Sequence, residues 1–443
     1  MDTTITPQIV NLTATVTRAP TPSQLQRSGA LISVGGTTQA AGAMTYVGAL
    51  SAAQALLSTT GNYQEVDNMA TTFFAQGNAV GAYVLELGNV SGVDAQITAL
   101  QTWITDNPGQ LYAYLCPADW DYSKDEVGSV QITSGGSGYT SAPSVTFSAP
   151  SSGTTASGTA TIQNGSVVAV TVTAPGSGYT AAPTVTFSAP ASGTTASGTA
   201  TLATALNILA GDYSEPTGKT YFFGTTSSGT IGNYTTNKAL VMTAPAPTAP
   251  STEFTAAMPF YQWLANQPSQ ATPLAPMAFR YAYGVTPWPQ TGQSAAVNAI
   301  LTAYGNLIYT GAEGGISTAT LFKGTTMDGG QAAWWYGVDW FQIQVKQALA
   351  AAIINGSNSN PPLLYNQAGI NTMQAIAQNL GNSAVKFGCA LLVTVTATDF
   401  STYTTENPND YKAGIYNGLS ATMVGPSGFL TITFTLDAVQ FVQ

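Results

Sequence analysis

The chain has 443 residues, of which 44% are hydrophobic and only 7% are charged. A chain of this length and apolar content can bury two or three packed domains, so disorder as the default state is excluded. The net charge is −10 and the ten Lys and Arg residues form no cluster, which argues against binding to a nucleic-acid backbone.

The scarcity of charge also describes the surface. An average soluble domain has roughly 25% charged residues, so Ser, Thr, Asn, Gln and Gly must cover most of this exterior. Such a surface has little charge to desolvate on association, which favours a subunit that contacts copies of itself over large areas. The alternative is a monomer with a neutral, Ser/Thr-rich exterior.

Targeting signals and cysteines indicate the compartment. The start, Met1-Asp2-Thr3-Thr4, has no secretory pattern, and no stretch approaches the ~20 apolar residues needed to span a bilayer. We therefore expect synthesis as a soluble protein in a reducing cytoplasm. Cys116 and Cys389 each lie in an apolar, strand-like run, which predicts buried free thiols rather than a disulfide.

Residues 1–22 are predicted to form an extended N-terminal arm. Apolar positions alternate with polar ones, as in a strand with one buried face: Val10, Leu12, Ala14 and Val16. Pro7 precedes this segment, and Pro20 and Pro22 follow it. Prolines on both sides limit the pairing length and favour an arm that leads into the fold.

Residues 23–124 and 202–290 are predicted to form one α/β body domain with βαβ units. Strand-like and helical patterns alternate: strands at 31–34, 80–87, 111–116 and 220–223, and helices at 51–57 (capped by Ser51), 65–74, 94–104, 203–210 and 254–266, with a further strand at 277–283. Connections of this type predict parallel strands in one sheet, with helices across both faces.

An internal repeat interrupts the body and predicts an inserted domain at residues 125–201. The segment 138–150 recurs at 178–190, 40 positions later, and 153–161 recurs from Gly193. Each copy reads as short strands between Gly, Pro and Ser turns, almost without charge. Because surface loops tolerate insertions, this small all-β domain is expected to project outward.

Residues 291–443 are predicted to form a C-terminal α/β domain that ends in a second strand-forming arm. The patterns predict helices at 294–304, 331–354 and 370–380, and strands at 390–396 and 429–442. In the last segment the apolar phase slips at Asp437, as at a bulge or turn. Its alternating apolar residues are Leu430, Ile432, Phe434, Leu436, Val439 and Phe441.

The sequence carries no convincing catalytic, cofactor or metal site. It has no histidine, and so lacks the commonest general base and zinc ligand. The acidic group Asp119, Asp121, Asp125 and Glu126 lacks the spacing of a calcium loop and is interpreted as a solvated loop. The aromatic residues Trp334, Trp335, Tyr336 and Trp340 could stack sugars, but their helical spacing favours a role in the core.

The order of elements resembles that of the tail sheath proteins of contractile bacteriophages. The segment 303–311, continuing to Gly324, is the most specific part, followed by Asp328-Gly329-Gly330 and the helix bearing Val338-Asp339-Trp340-Phe341. The resemblance covers nearly all of the chain except the insert. It implies a mixed α/β, multi-domain sheath-like body that carries the inserted β domain and two extended arms.

The resemblance also implies a function without enzymatic activity. Six subunits would form a ring, and stacked rings would surround a tail tube and contract by rigid-body movement, driving the tube into the host envelope. Expected partners are other copies of this chain, the tail tube protein, and baseplate and tail terminator proteins. The expected location is the virion tail, assembled in the host cytoplasm.

In the family, strands from both chain ends add to neighbouring subunits. In this sequence the implied strand-addition residues are Ile9, Val10, Leu12, Val16, Leu430, Ile432, Phe434, Leu436, Val439 and Phe441. Pairing of both segments within one subunit is the alternative. Alternative functions are a tube or baseplate component, or a polysaccharide-degrading tail enzyme, for which no pair of carboxylates stands out.

Overall fold

A computed structural model describes residues 22–215, 217–234, 236–311, 317–428 and 430. The strands in this part of the chain are β1 (Gly29–Ser33), β2 (Met44–Val47), β3 (Ala82–Glu86), β4 (Ala113–Leu115), β5 (Ser123–Ser134), β6 (Ser144–Phe147), β7 (Ser157–Gln163), β8 (Ser166–Ala174), β9 (Val185–Phe187), β10 (Ser197–Thr204), β11 (Tyr221–Thr225), β12 (Leu240–Ala244), β13 (Asn306–Thr310), β14 (Ala319–Phe322), β15 (Leu392–Ala397) and β16 (Leu419–Val424).

The α-helices are α1 (Leu50–Gln54), α2 (Tyr63–Ala75), α3 (Val93–Asp106), α4 (Ala205–Gly211), α5 (Ala257–Leu264), α6 (Ser294–Thr302), α7 (Ala332–Ser357), α8 (Gln367–Lys386), α9 (Phe400–Glu406) and α10 (Pro408–Ala413). Short 3-10 helices span Pro22–Arg27, Ala118–Trp120 and Ile231–Asn233. Within the described ranges, no helix is both long and apolar enough to cross a membrane.

An eight-stranded sheet forms the body, in the order β14-β13-β12-β11-β4-β1-β3-β2. The strands from β13 to β3 are parallel, and the two edge strands, β14 and β2, pair antiparallel with their neighbours. The predicted βαβ organisation is therefore confirmed. Every residue of β1 and of β12 is buried, as expected for strands covered on both faces.

Helices cover the two faces of this sheet. Leu31 points into the core that contains α2 and α5, whereas Ile32, the next residue, points into the core that contains α3, α4 and α6. The first core also includes Tyr336 of α7, so the C-terminal helices extend the body rather than standing apart from it. Full burial of each large aliphatic side chain in such a core contributes about 1.5–3 kcal/mol.

Strands β5 to β10 occupy the region of the sequence repeat and form a closed ring. Neighbouring pairs are β8-β7, β7-β6, β6-β9 and β10-β5, with a single bridge between Thr184 and Thr199 joining β9 to β10. Hydrogen bonds from Val127 N to Pro175 O (2.9 Å) and from Val167 N to Gly135 O (2.7 Å) join β5 to β8. This closure leaves the ring without a long unpaired edge.

The two repeats are related by a pseudo-two-fold axis, and each repeat fixes the other. The Tyr139 hydroxyl donates to Ser188 O (3.1 Å) and accepts from Ala196 N (2.9 Å). Forty positions later, the Tyr179 hydroxyl makes the equivalent bonds to residues 148 and 156. The pair β5-β10 is the counterpart of the hairpin β7-β8, so the entry and exit strands of the ring lie side by side.

Several sequence predictions of local structure are wrong. Residues 277–283 do not form a strand, because Phe279 has a φ of 61° and interrupts the extended chain. This segment instead follows the edge of β14 with irregular bonds, including Phe279 N to Leu321 O at 2.8 Å. Helix α1 begins at Leu50 with Ala49 at its N-cap position, so Ser51 is not the cap.

Candidate assembly surface

The C-terminal unit, from α7 onward, is built from α7 to α10 and the antiparallel pair β15-β16. Asn366 caps α8, its side-chain oxygen accepting a hydrogen bond from Gly369 N at 2.9 Å. The helix covers one face of the pair, where Val393 and Val395 are buried. Gly381 allows this close approach, since a Cβ there would lie 2.7 Å from Val393 Cγ1.

The outer edge of β15 is occupied by glutamine side chains of α8. Gln374 Nε2 donates to Val395 O (3.0 Å), and Gln378 Nε2 donates to Val393 O (3.0 Å). Gln378 Oε1 accepts from Val395 N at 2.9 Å. These amides satisfy the backbone groups that a further strand would use, so this edge is closed to strand addition.

The outer edge of β16 is open within the described residues. Val395 N points away from β16, because it donates to Gln378. In an antiparallel pair, the backbone N–H of its partner Ala421 must then point away from β15, and so must those of Leu419 and Met423, two positions to either side. None of these three backbone N–H groups donates a hydrogen bond to another part of the chain that the structure describes. A two-stranded sheet with a free edge is a ready acceptor for another strand.

Exposed apolar side chains are concentrated in the same unit. Those between 38% and 64% exposed are Ile353, Ile354, Leu364, Val385, Leu391, Leu392, Tyr411, Ile415 and Val424. A groove of about 310 Å³ opens between the end of α7 and the start of α8, where Ile353, Leu363 and Ile370 contribute to its walls. Exposed apolar side chains in such numbers, beside an apolar groove, are typical of protein–protein contacts.

Of the ten predicted strand-addition residues, the structure describes only Leu430, which lies in a bend and is 36% exposed. The others, Ile9, Val10, Leu12, Val16, Ile432, Phe434, Leu436, Val439 and Phe441, lie outside the described residues.

The segment just before Leu430 is anchored to α7. Gly428 N donates to Gln331 Oε1 at 3.0 Å, and Gln331 Nε2 donates to Ser427 Oγ at 3.2 Å. Gly425 packs against Trp334, because a Cβ there would lie 2.5 Å from Trp334 Cε3. Residues 425–428 are therefore held to the N-terminal end of α7.

A buried carboxylate joins the C-terminal unit to the sheet. Asp339 of α7 is fully buried, and its Oδ2 accepts hydrogen bonds from the Tyr112 and Tyr221 hydroxyls, both at 2.8 Å. Its Oδ1 has no hydrogen-bond partner among the residues that the structure describes. Burial raises the pKa of Asp339 to about 6, although both hydroxyls and the nearby Lys238 and Lys219 oppose that rise.

The cysteines and half of the aromatic cluster lie in the core as predicted, whereas Trp334 and Trp335 are only partly buried. Tyr336 and Trp340 are buried in the core, and both cysteines are free and buried. Trp335 Nε1 donates to Asp328 Oδ2 at 2.8 Å, and the Lys238 ammonium lies 4.8 Å from the Trp335 ring centroid. These contacts hold the first turns of α7 against the body.

The four acidic residues predicted to lie in one solvated loop do not act together, and two of them, Asp121 and Asp125, accept hydrogen bonds within the fold. Asp121 is not a solvated carboxylate: it accepts hydrogen bonds from Thr230 Oγ1 and the Tyr234 hydroxyl, both at 2.6 Å, and burial raises its pKa. Asp125 accepts from Gly178 N at 3.1 Å, which ties β5 to the second repeat. Across the described ranges, no three Cys, Asp or Glu side chains gather as metal ligands would.

Sequence reasoning missed the residues that define the open and closed edges. Gln374 and Gln378 stand one helical turn apart, a spacing common on solvated helix faces and therefore weak as a signal. Strand β16 reads Leu-Ser-Ala-Thr-Met-Val, a short alternation that could have predicted an edge strand.

Comparisons with known proteins agree with this architecture. No protein-family model matches the chain, and no curated protein sequence matches it significantly. A chain of the six-fold symmetrised anti-feeding prophage baseplate has a TM-score of 0.53 at 11% identity, covering 94% of each chain. The helical sheath of that prophage in its contracted state gives 0.49 at 12% identity, over 93% of this chain and 92% of that one.

A sheath tail protein from Listeria innocua gives a TM-score of 0.41 at 11% identity, over 90% of this chain and 94% of its own. At 11% identity, the TM-score of 0.53 with the baseplate chain shows a shared fold. The predicted resemblance to contractile tail sheath proteins is confirmed at that level: over nearly all of its length, this chain shares the fold of an anti-feeding prophage baseplate component, and tail sheath proteins are among its structural neighbours.

Proposed function

We propose that this chain is a structural subunit of a contractile, phage-like tail sheath. It polymerises as stacked hexameric rings around a tail tube, and contraction moves subunits as rigid bodies to drive the tube into the host envelope. The open edge of β16, beside a concentration of exposed apolar side chains, carries the proposal. The baseplate structure that shares this fold is six-fold symmetrised, which supports rings of six subunits.

Rings are linked by strand addition at β16. The proposed donors are the alternating terminal segments at residues 9–16 and 430–441 of neighbouring subunits. Because Gln374 and Gln378 close the edge of β15, one arm pairs directly with β16 and the second arm pairs with the first. The resulting order is β15, β16, arm, arm.

Main-chain pairing suits a sheath that contracts. Strand hydrogen bonds depend little on side-chain identity, so a link of this kind persists while the subunit bodies rotate. The anchoring of Gly428 to Gln331 fixes where the C-terminal arm departs from its own body. Metastable packing stores the energy for contraction, without a nucleotide or another cofactor.

The residues between 125 and 201 are proposed to be an outward-facing insert that takes no part in polymerisation. Its strands close on themselves, so it offers no long edge to a neighbour. The sequence divides the rest of the chain into the arm at 1–22, the body at 23–124 plus 202–290 and the assembly domain at 291–443. Because α6, β13 and β14 belong to the body sheet and its core, we propose that the body extends to residue 322 and that the assembly domain begins after it.

Electron microscopy of the purified chain tests the function. Wild-type protein at high concentration is expected to form tubes or stacked six-fold rings, and deletion of residues 1–17 is expected to leave soluble subunits that do not polymerise. Persistent monomers of the wild-type chain, or normal tubes from the truncated one, would contradict the proposal.

A proline pair tests which edge accepts the arm. Ala421→Pro removes an outward N–H from β16, while the ladder to β15 uses the residues on either side. Ala397→Pro is the matched control on the outward side of β15. Ala421→Pro should abolish tubes and Ala397→Pro should preserve them; equal loss in both variants would refute the assignment to β16.

A baseplate component is the second candidate, because a solved structure that shares the fold with a TM-score of 0.53 comes from a baseplate. Such a subunit would form single closed rings and would not extend into tubes. The same micrographs distinguish the two, since tube length should increase with protein concentration only for a sheath.

A further inference from the structure

A cleft lined by both polar and apolar groups lies where the inserted ring meets the body. It has a volume of about 740 Å³, within the range of small-molecule sites. Strands β5 and β10 form one wall, and α6 with the 3-10 helix Ile231–Asn233 forms the other. Neither the proposed polymerisation nor the core packing uses this cleft.

The lining of the cleft is uncharged and rich in hydrogen-bonding groups. Gln131, Asn298 and Thr302 line it, and their side chains make no hydrogen bond to another residue that the structure describes. Amides both donate and accept, so these groups suit a ligand with many hydroxyls rather than an ion. The net charge of −10 further disfavours an anionic ligand.

An aromatic side chain in a strained position stands at the side of the cleft. Tyr304 has a φ of 63°, just after α6, where Gly305 N bonds back to Ile300 O at 2.9 Å. Glycine is the usual residue at this left-handed helix end, because a side chain there is strained. A bulky residue held in such a conformation suggests a function for its side chain.

The Tyr304 ring is supported on one side and accessible to the cleft. A Cβ on Gly329 would lie 2.8 Å from Tyr304 Cε1, so the ring rests on backbone that carries no side chain. The residue is nevertheless 45% exposed and lines the cleft. A flat apolar face with a polar hydroxyl at its tip provides a stacking platform.

We propose that this cleft binds a neutral oligosaccharide. The apolar face of one sugar ring stacks on Tyr304, and the Gln131 and Asn298 amides bond its hydroxyls from opposite walls. Binding across the boundary orients the insert relative to the body. This inference is independent of the sheath proposal, because none of the residues that line the cleft belongs to β16.

Titration of the full chain with neutral hexasaccharides of glucose, mannose and N-acetylglucosamine tests the site by calorimetry. At least one is expected to bind at millimolar concentration or tighter. Tyr304→Gly should weaken that binding tenfold or more, yet should not lower the unfolding midpoint, because glycine relieves the backbone strain. Asn298→Ala should weaken binding three- to tenfold.

Tyr46→Ala is the matched control, since Tyr46 is an exposed tyrosine on β2, outside the cleft. Its binding should equal that of the wild type. Absence of binding to all three sugars, or binding that Tyr304→Gly leaves unchanged, would overturn the proposal. If Tyr304→Gly instead blocks polymerisation and no sugar binds, Tyr304 is a subunit contact and the proposal is likewise overturned.

Discussion

Replacing Asp339 with Asn should make the protein more stable at neutral pH and flatten the pH dependence of its stability. The pKa of Asp339 is raised by burial from 3.8 to about 6, so the folded state retains a proton that the unfolded chain releases between those values. Its contribution to the free energy of unfolding is therefore fully present below pH 3.8 and is lost as pH rises through 6.

The difference of about 2 pKa units corresponds to about 3 kcal/mol of destabilisation at pH 8, and to roughly half of that at pH 5. Asn mimics the protonated acid, because its carbonyl oxygen can accept from both tyrosine hydroxyls while the charge is absent. The unpartnered amide N–H groups offset about 1–2 kcal/mol of the gain, which leaves about 1–2 kcal/mol at pH 8.

Urea unfolding of the dilute subunit, followed by tryptophan fluorescence at pH 5 and pH 8, measures the effect. The wild-type chain should lose about 1.5 kcal/mol relative to Asp339→Asn over this interval. Asp339→Ala is the control: it leaves the Tyr112 and Tyr221 hydroxyls buried without their acceptor and should cost about 2–4 kcal/mol relative to Asn. A pH slope shared by wild type and Asp339→Asn would refute the reasoning.

Three further predictions concern the insert and the thiols. Tyr139→Phe and Tyr179→Phe should each destabilise the insert by about 1–3 kcal/mol, because each hydroxyl bonds two backbone groups of the other repeat. The two losses should be similar when measured by calorimetry, and very unequal losses would contradict the pseudo-symmetry. Deletion of residues 125–201 should leave a folded body that still polymerises in micrographs, because the entry and exit strands pair side by side. Burial raises the thiol pKa of Cys116 and of Cys389, the latter to about 12, so neither should react with a disulfide reagent at pH 8 until urea unfolds the chain.

Four of the eight strands of the body sheet, β1, β3, β4 and β11, were predictable because they are short, buried apolar runs next to amphipathic helices. β1, β3 and β4 fall at or within one or two residues of the predicted positions. β12 was missed, although every residue in it is buried, because it stands beside the Pro-rich segment 244–250. Its position depends on parallel pairing with β11 and β13, a long-range contact that local patterns do not encode.

The candidate assembly surface was less predictable for the same physical reason. Alternation at the chain ends predicts strands but does not identify their acceptor. The closed edge depends on two glutamines that reach from α8 to β15, and the buried role of Asp339 depends on tyrosines more than 100 positions away. Each is a tertiary arrangement of residue types that most often lie on the surface.

The distribution of charge connects the fold to assembly. The chain has only twenty acidic and ten basic residues, and several of them are bound inside the fold. Glu86 accepts hydrogen bonds from the backbone N–H groups of residues 35, 37 and 88, and Asp121 and Asp339 are held by hydroxyls. These carboxylates therefore hold loops in place and join α7 to the body sheet. Because they are bound inside the fold, the exterior is even less charged than the composition indicates. Association of such surfaces removes few ions from water, so the polymerisation proposed above would face a small desolvation cost at the apolar side chains and open strand edge of the C-terminal unit.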